Sequence, residues 1–514
     1  MSSHRCLRTN PLFSLPIILL ILVTVLLVSC GDDDIVNPTE DREPPATTKD
    51  LSIDSLSSGS IRLVWTAPGD DSITGQAAQY DIRYSTSELD SSSWSSATSC
   101  TNPHTPAIAG TVESFAVTGL DPMTKYYFAL RTSDESHNWS SVSNAVSAKT
   151  PDSVIITWER TYGGPHQELL GKVVVAPDGG YVMAGQTSSY GSGYSDVYLL
   201  KVDEYGEIVW QAVYGGGMSD DAWDVAVTPD GGYITAGSTG FSGDFLLDAL
   251  IVKFDGNGHV IWGRTYDNEE TSMDWAFSIA SVPDGGYLVA GTATDHYGEE
   301  PLGYLWLLKI NESGDVIWQQ FHGIDMYPFS TLAAPDGGFV IVGSAPDVRL
   351  LKVDNSGEVV WDKVLGAELN AFDSRCVIVA VGGGYLVTGY TYTDITRDVY
   401  LAHVSESGDI IWERVYSSEG DTRSYSVIVA PDGGYIVAGR TKSPEAAYTD
   451  AYLMKVDGSG NLVWDRVYGG DYHDFAWSVA VTDDGGLIMG GVTQSFGAGG
   501  GDYYLLKLDA NGNL

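Results

Sequence analysis

The chain has 514 residues, more than one hydrophobic core ordinarily organises, so it divides into domains. Its 60 glycines, 11% aromatic residues and only 18% charged residues suit short strands joined by tight turns and exclude a helical or coiled-coil protein. Acids outnumber bases 68 to 27, and the net charge of −41 repels phosphate backbones, which excludes nucleic acid as a partner.

Residues 1–10 carry His4, Arg5 and Arg8 and no acid, an apolar run from Leu12 to Val28 follows, and Ser29-Cys30-Gly31 comes next. A basic start, an apolar run and a small-residue site make a secretory signal. Leu27-Val28-Ser29-Cys30 resembles the lipobox of bacterial lipoproteins, which implies cleavage before Cys30 and lipid on its thiol. The competing reading is an uncleaved anchor, because about 17 apolar residues just span a bilayer. Gly31 stands where an inner-membrane retention signal would have Asp, so the resemblance points to the outer membrane or cell surface. Residues 1–29 are thus expected to be the signal and 30–46 an acidic tether too polar to collapse. Cys30→Ser is expected to abolish labelling by radioactive palmitate; a variant that still takes up label contradicts the anchor.

Between 47 and 150, strands alternate apolar and polar residues, as in Ile61-Arg62-Leu63-Val64-Trp65 and Tyr80-Asp81-Ile82-Arg83-Tyr84. This rhythm predicts a two-sheet sandwich. Trp65 before Thr-Ala-Pro, and Leu120-Asp-Pro-Met-Thr-Lys-Tyr126, resemble the core Trp and tyrosine corner of a fibronectin type III domain. No Arg-Gly-Asp occurs, so the domain reads as a spacer.

From 154 to 514 one unit recurs. Asp-Gly-Gly begins at Asp178, Asp230, Asp284, Asp336, Asp432 and Asp484, with Gly382-Gly383-Gly384 as a degenerate copy, giving seven units. Lys201, Lys253, Lys309, Lys352, His403 and Lys455 each stand nine residues before a Trp. The seventh copy has Lys507 but no Trp strand after it, while the region opens with an orphan one, Ile155-Ile156-Thr157-Trp158. Seven four-stranded sheets result if the orphan completes the last. The unit resembles bacterial surface-propeller repeats and, loosely, those of quinoprotein dehydrogenases, which implies an all-β chain ending in a seven-bladed propeller.

Glu168, Asp220, Asp274, Asp325, Asp373, Asp421 and Asp474 precede the first strands of successive units. They are candidates for a carboxylate ring at one channel mouth that holds Ca²⁺; alternatively they cap turns and bind backbone amides between blades. A second series, Asp196, Asp248, Asp347, Asp398, Asp450 and Asp502, recurs too regularly for a ligand site and reads as scaffold. Where copies differ, His296, His322 and His473 are candidate ligand-binding residues. Cys100 and Cys376 fall in different domains, so no disulfide framework is expected, and Cys376 occupies a position that is Asp224 or a serine in other copies.

No catalytic motif is present: no Gly-x-Ser-x-Gly, no His-Glu-x-x-His, no phosphate loop, no Cys-x-x-Cys. The expectation is a monomeric, non-catalytic module, lipid-anchored in the cell envelope, that touches the membrane only through its anchor, uses no cofactor and binds an extracellular protein or glycan. The alternative is a propeller enzyme that acts on polysaccharide or uses a quinone.

Overall fold

The computed structural model describes residues 43–514 apart from 57–58, 71–73, 101–104, 151–154, 242–245, 268–272, 283–284, 295–302, 325, 346, 368–370, 393–395, 418–419 and 444–445. Cys30, His296, Asp325 and the side chain of Asp373 lie outside the described residues.

The first domain has two antiparallel sheets. One orders Ser52–Leu56, Ser60–Thr66 and Val112–Thr118, and the other Thr98–Ser99, Gln79–Ser85, Lys125–Ser133 and Val146–Lys149. Alternation puts Ile61, Leu63 and Trp65 on the inner face, where Trp65 is 1% exposed and meets Tyr80 edge-on at 5.1 Å. Tyr126 accepts a hydrogen bond on Oη from the Asp121 amide at 2.9 Å, the tyrosine corner expected from its spacing.

Beyond residue 157 the described strands form five four-stranded sheets and one of eight strands, which divides at a single bridge into two further four-stranded units. In unit 1 the order is Glu168–Val175, Tyr181–Thr187, Asp196–Val202, Ile208–Tyr214. The first strands of the others are Ser219–Val227, Met273–Ser281, Tyr327–Ala333, Ala371–Val379, Asp421–Val429 and Asp474–Val481. A single parallel bridge, Leu247 to Met273, joins units 2 and 3. Unit 7 takes its fourth strand from the start of the region: Trp158–Tyr162 pairs antiparallel with Asp502–Leu508.

The nine-residue spacing has a simple cause. Lys and Trp lie directly opposite on the hairpin of the third and fourth strands, as in Lys201 with Trp210 and Lys253 with Trp262. Lys507 faces Trp158 in that same register, so the displaced strand occupies the place that a continuous chain fills elsewhere.

One device holds each unit internally and a second ties it to the next. In the five Asp-Gly-Gly turns whose Asp is described, that Asp pairs with the Lys of its own unit: Lys253 with Asp230 and Lys507 with Asp484, each at 2.9 Å, and likewise Lys201 with Asp178, Lys352 with Asp336 and Lys455 with Asp432. In unit 5 the Asp is Gly382, the Lys is His403, and its Nε2 lies 2.9 Å from the Gly383 carbonyl oxygen. Both partners of the pair are replaced together. The second device reaches forward. Trp158 and Trp262 donate from Nε1 to the Glu204 and Glu312 carbonyls of the next unit at 2.9 and 3.1 Å. These rings lie against Gly206 and Gly314, whose φ values of 81° and 82° would cost another residue about 1–2 kcal/mol.

Seven apolar clusters fill the gaps between units, one for each pair of neighbours, including unit 7 against unit 1. Each first strand packs against the next, and Asp474–Val481 returns to Glu168–Val175. Because every unit buries its faces on two others, none is expected to fold alone.

Candidate functional site

Of the acids proposed for a ring, the described ones have partners close by. Glu168 accepts hydrogen bonds from the Gly164 amide at 2.9 Å and Thr187 Oγ1 at 2.7 Å, Asp220 from the Gly216 amide at 2.8 Å, and Asp474 from the Gly470 amide at 2.8 Å and Ser495 Oγ at 2.6 Å. Each carboxylate thus caps the loop leading into its own strand. Asp274 is likewise buried, at 1% exposure. Asp421 is held by Arg423 at 2.8 Å and Arg397 at 2.9 Å, and this pairing keeps it below the usual carboxylate range despite burial. Among the described residues no three His, Cys, Asp or Glu side chains gather as a metal centre would require.

The second acidic series explains the recurrent Tyr-Gly-Gly. A Cβ on Gly215 would stand 2.0 Å from Asp196 Oδ1 and 2.7 Å from Asp220 Oδ2, and one on Gly163 2.0 Å from Asp502 Oδ1 and 2.4 Å from Glu168 Oε2. Only a residue without a side chain fits between two such acids. Burial raises the pKa of Asp196, Asp450 and Asp502, and the facing acid of the next unit adds to it. Burial likewise raises Asp221 to about 6, with Asp220 adding to the shift.

These shifts give a pH dependence of known sign. Carboxyls raised on folding bind more protons folded than unfolded, so stability increases as pH falls from neutral toward their unfolded values. The turn acids are lowered despite burial, Asp230 and Asp484 by the Thr228 and Thr482 hydroxyls and then by their lysines, Asp432 by Lys455, and their contribution is lost as pH falls through the folded pKa. The melting temperature of the repeats is therefore expected to peak between about pH 4 and 6 and to drop below it. A melting temperature that rises steadily from pH 5 to 8 contradicts this.

His322 ends the fourth strand of unit 3 and His473 precedes the first strand of unit 7. His473 Nδ1 accepts the Thr449 amide at 3.2 Å and lies 2.9 Å from Thr449 Oγ1, while its ring stacks on Phe475 at 5.9 Å and 9°. It stands in a row of rings.

That row belongs to a feature that sequence reasoning missed. Every first strand carries a bulge just before the position held by Lys172, Asp224, Ser278, Ser330, Cys376, Ser426 and Ser478 in successive units. The residue there is Gly171, Trp223, Phe277, Phe329, Arg375, Tyr425 or Trp477, five aromatics among seven units. Several of them meet a neighbour from the next unit, as parts of a collar. Phe277 and Phe329 are 5.5 Å apart, Arg375 lies over Phe329 at 3.8 Å, and Tyr425 stacks on Trp477 at 4.4 Å. Trp223 is 43% exposed.

The small polar residues beside this collar link the units. Lys172 Nζ meets Asp224 at 2.7 Å, Ser278 Oγ donates to Asp224 at 2.9 Å, and Ser478 Oγ donates to the Val173 carbonyl at 3.4 Å. The Cys376 thiol approaches the Val427 carbonyl at 3.7 Å, and burial raises its pKa, so it is a poor nucleophile.

A family model for the fibronectin type III domain matches residues 43–146. No curated protein matches the chain in sequence. Solved structures similar to it include a protein of unknown function from Bacteroides caccae, 16% identical, covering 54% of this chain and 92% of its own at a TM-score of 0.36. The WD40 domain of Neurospora crassa Pan2 is 9% identical and covers 67% and 89% at 0.42, and BamB from Moraxella catarrhalis is 14% identical and covers 66% and 85% at 0.37. The chain is all-β in its described elements apart from one short 3-10 turn, carries a fibronectin type III domain at 43–146, and has propeller folds among its structural neighbours.

Proposed function

We propose that the chain is a lipid-anchored surface protein whose residues 154–514 form a seven-bladed propeller, with the fibronectin type III domain as a spacer, and that the propeller binds an extracellular glycan or protein at its collar. The shared register of Lys507 with Trp158 supports the ring. The collar is the observation that carries the binding reading. Its aromatic residues stand at bulges, where a strand re-aims side chains, and Trp223 stays substantially exposed. Unit 1 breaks the collar with Gly171 and unit 5 with Arg375, which supplies the asymmetry a ligand site needs.

The test uses the intact protein on arrays of glycans and extracellular proteins beside a Trp223→Ala/Phe329→Ala/Trp477→Ala variant. The proposal expects selective ligands that the variant loses. Ligands retained by a folded variant, or none selected by the wild type, would overturn it.

A further inference from the structure

In unit 7, Asp474 and Ala476 are buried at 0% exposure and alternate with His473, Phe475 and Trp477, which share the other face. The three rings follow one another at 5.9 Å, tilted by 9° and then 29°, and Tyr425 of unit 6 extends the stack beyond Trp477. Over this ladder stands Arg440, its guanidinium 5.2 Å from the Phe475 centroid.

Arg440 is directly opposite Arg423 on the neighbouring strand, and like charges so placed repel. Asp421 neutralises Arg423. Arg440 has no ion pair among the described residues, and its buried Nε has no hydrogen-bond partner. An unmatched guanidinium is notable in a chain of net charge −41, and such a group calls for a partner.

Resting on the reading of the collar as a binding site, we infer that this ladder takes a sugar chain whose terminal residue carries a carboxylate. Phe475 and Trp477, both partly exposed, supply apolar ring contact for the sugars, and Arg440 receives the carboxylate in a bidentate hydrogen bond from its two Nη atoms. A polyanionic glycan is disfavoured by the acidic surface, whereas a single carboxylate beside Arg440 is screened from acids farther than about 8 Å. Peptide recognition would call for a free strand edge, a helix groove or an amide nest, and the ladder offers aromatic rings beside a cation.

Calorimetric titration of the intact protein in detergent tests this, with an oligosaccharide ending in glucuronic acid and the same oligosaccharide ending in glucose. The acidic form is expected to bind at least tenfold more tightly. Arg440→Gln should erase that preference while leaving the neutral affinity, Arg440→Lys should keep part of it, and Trp477→Ala should weaken both forms at least tenfold. Equal binding of the two sugars would overturn the carboxylate assignment, yet loss of both in W477A would leave the collar reading standing. Binding of both that is unchanged in W477A, or binding of neither, would overturn the sugar site itself. A glutamate-terminated peptide that binds as tightly as the acidic sugar, and is lost in R440Q, would overturn the choice of sugar.

Discussion

Deleting residues 155–163 is expected to abolish the single cooperative unfolding transition of the repeats and to make the chain self-associate. The deletion removes Trp158, Tyr162 and their bonds to the carbonyls of Glu204 and Gly206, at 2.9 and 2.7 Å. It also uncovers Asp502–Leu508, every residue of which is buried, and opens the cluster between units 7 and 1. Each large apolar side chain returned to water costs about 1.5–3 kcal/mol, so a few of them approach the roughly 5–15 kcal/mol that holds a typical domain together. The bared strand edge then recruits another chain. Tryptophan fluorescence in urea, read beside light scattering, checks this. A monomer with the wild-type midpoint contradicts it, and removing residues 31–39 from the tether supplies the control.

Trp65→Ala carries the second largest effect, confined to the other domain. Trp65 is 1% exposed, meets Tyr80 edge-on and packs with Ile61, Leu63, Ile82 and Phe128. Truncating a buried tryptophan costs about 3–5 kcal/mol, most of the stability of a domain this small. Scanning calorimetry should show the fibronectin type III transition lowered or lost and the transition of the repeats unmoved. A common shift of both would mean that the two parts unfold as one.

The repeat period, the orphan strand and the tyrosine corner were legible because each reports a local rule. Nine residues is the length of a hairpin that brings Lys opposite Trp, and the corner Tyr bonds an amide five residues back. The collar was not legible. Strict alternation puts Trp223 and Asp224 on opposite faces, and only the bulge, absent from any period-two pattern, removes that constraint. The acids were visible, but their direction was not. Asp220 and Asp221 are adjacent in sequence, yet the first is buried against Thr239 and the Gly216 amide while the second pairs with Ser195 Oγ at 3.0 Å. His473 is a candidate because the copies differ there, whereas its place in the fold is a stack with Phe475. Arg440 had a signal that comparing the repeats could have found: the residue after the second-strand glycine is Gln186, Ser238, Thr292, Ser344, Tyr390 or Val492 in the other units, and nowhere else a cation.

The ring carries both the architecture and the collar, and cross-linking across its seam tests it most directly. Arg160 and Leu505 are register partners, and opposed strand residues about 4.5–5.5 Å apart at Cα suit a disulfide. In a Cys100→Ser/Cys376→Ser background, Arg160→Cys with Leu505→Cys should close within one chain as readily as the equivalent unit 1 pair, Leu199→Cys with Ala212→Cys. Mass spectrometry that finds the 160–505 link only between chains, or not at all while the unit 1 pair forms, contradicts the ring.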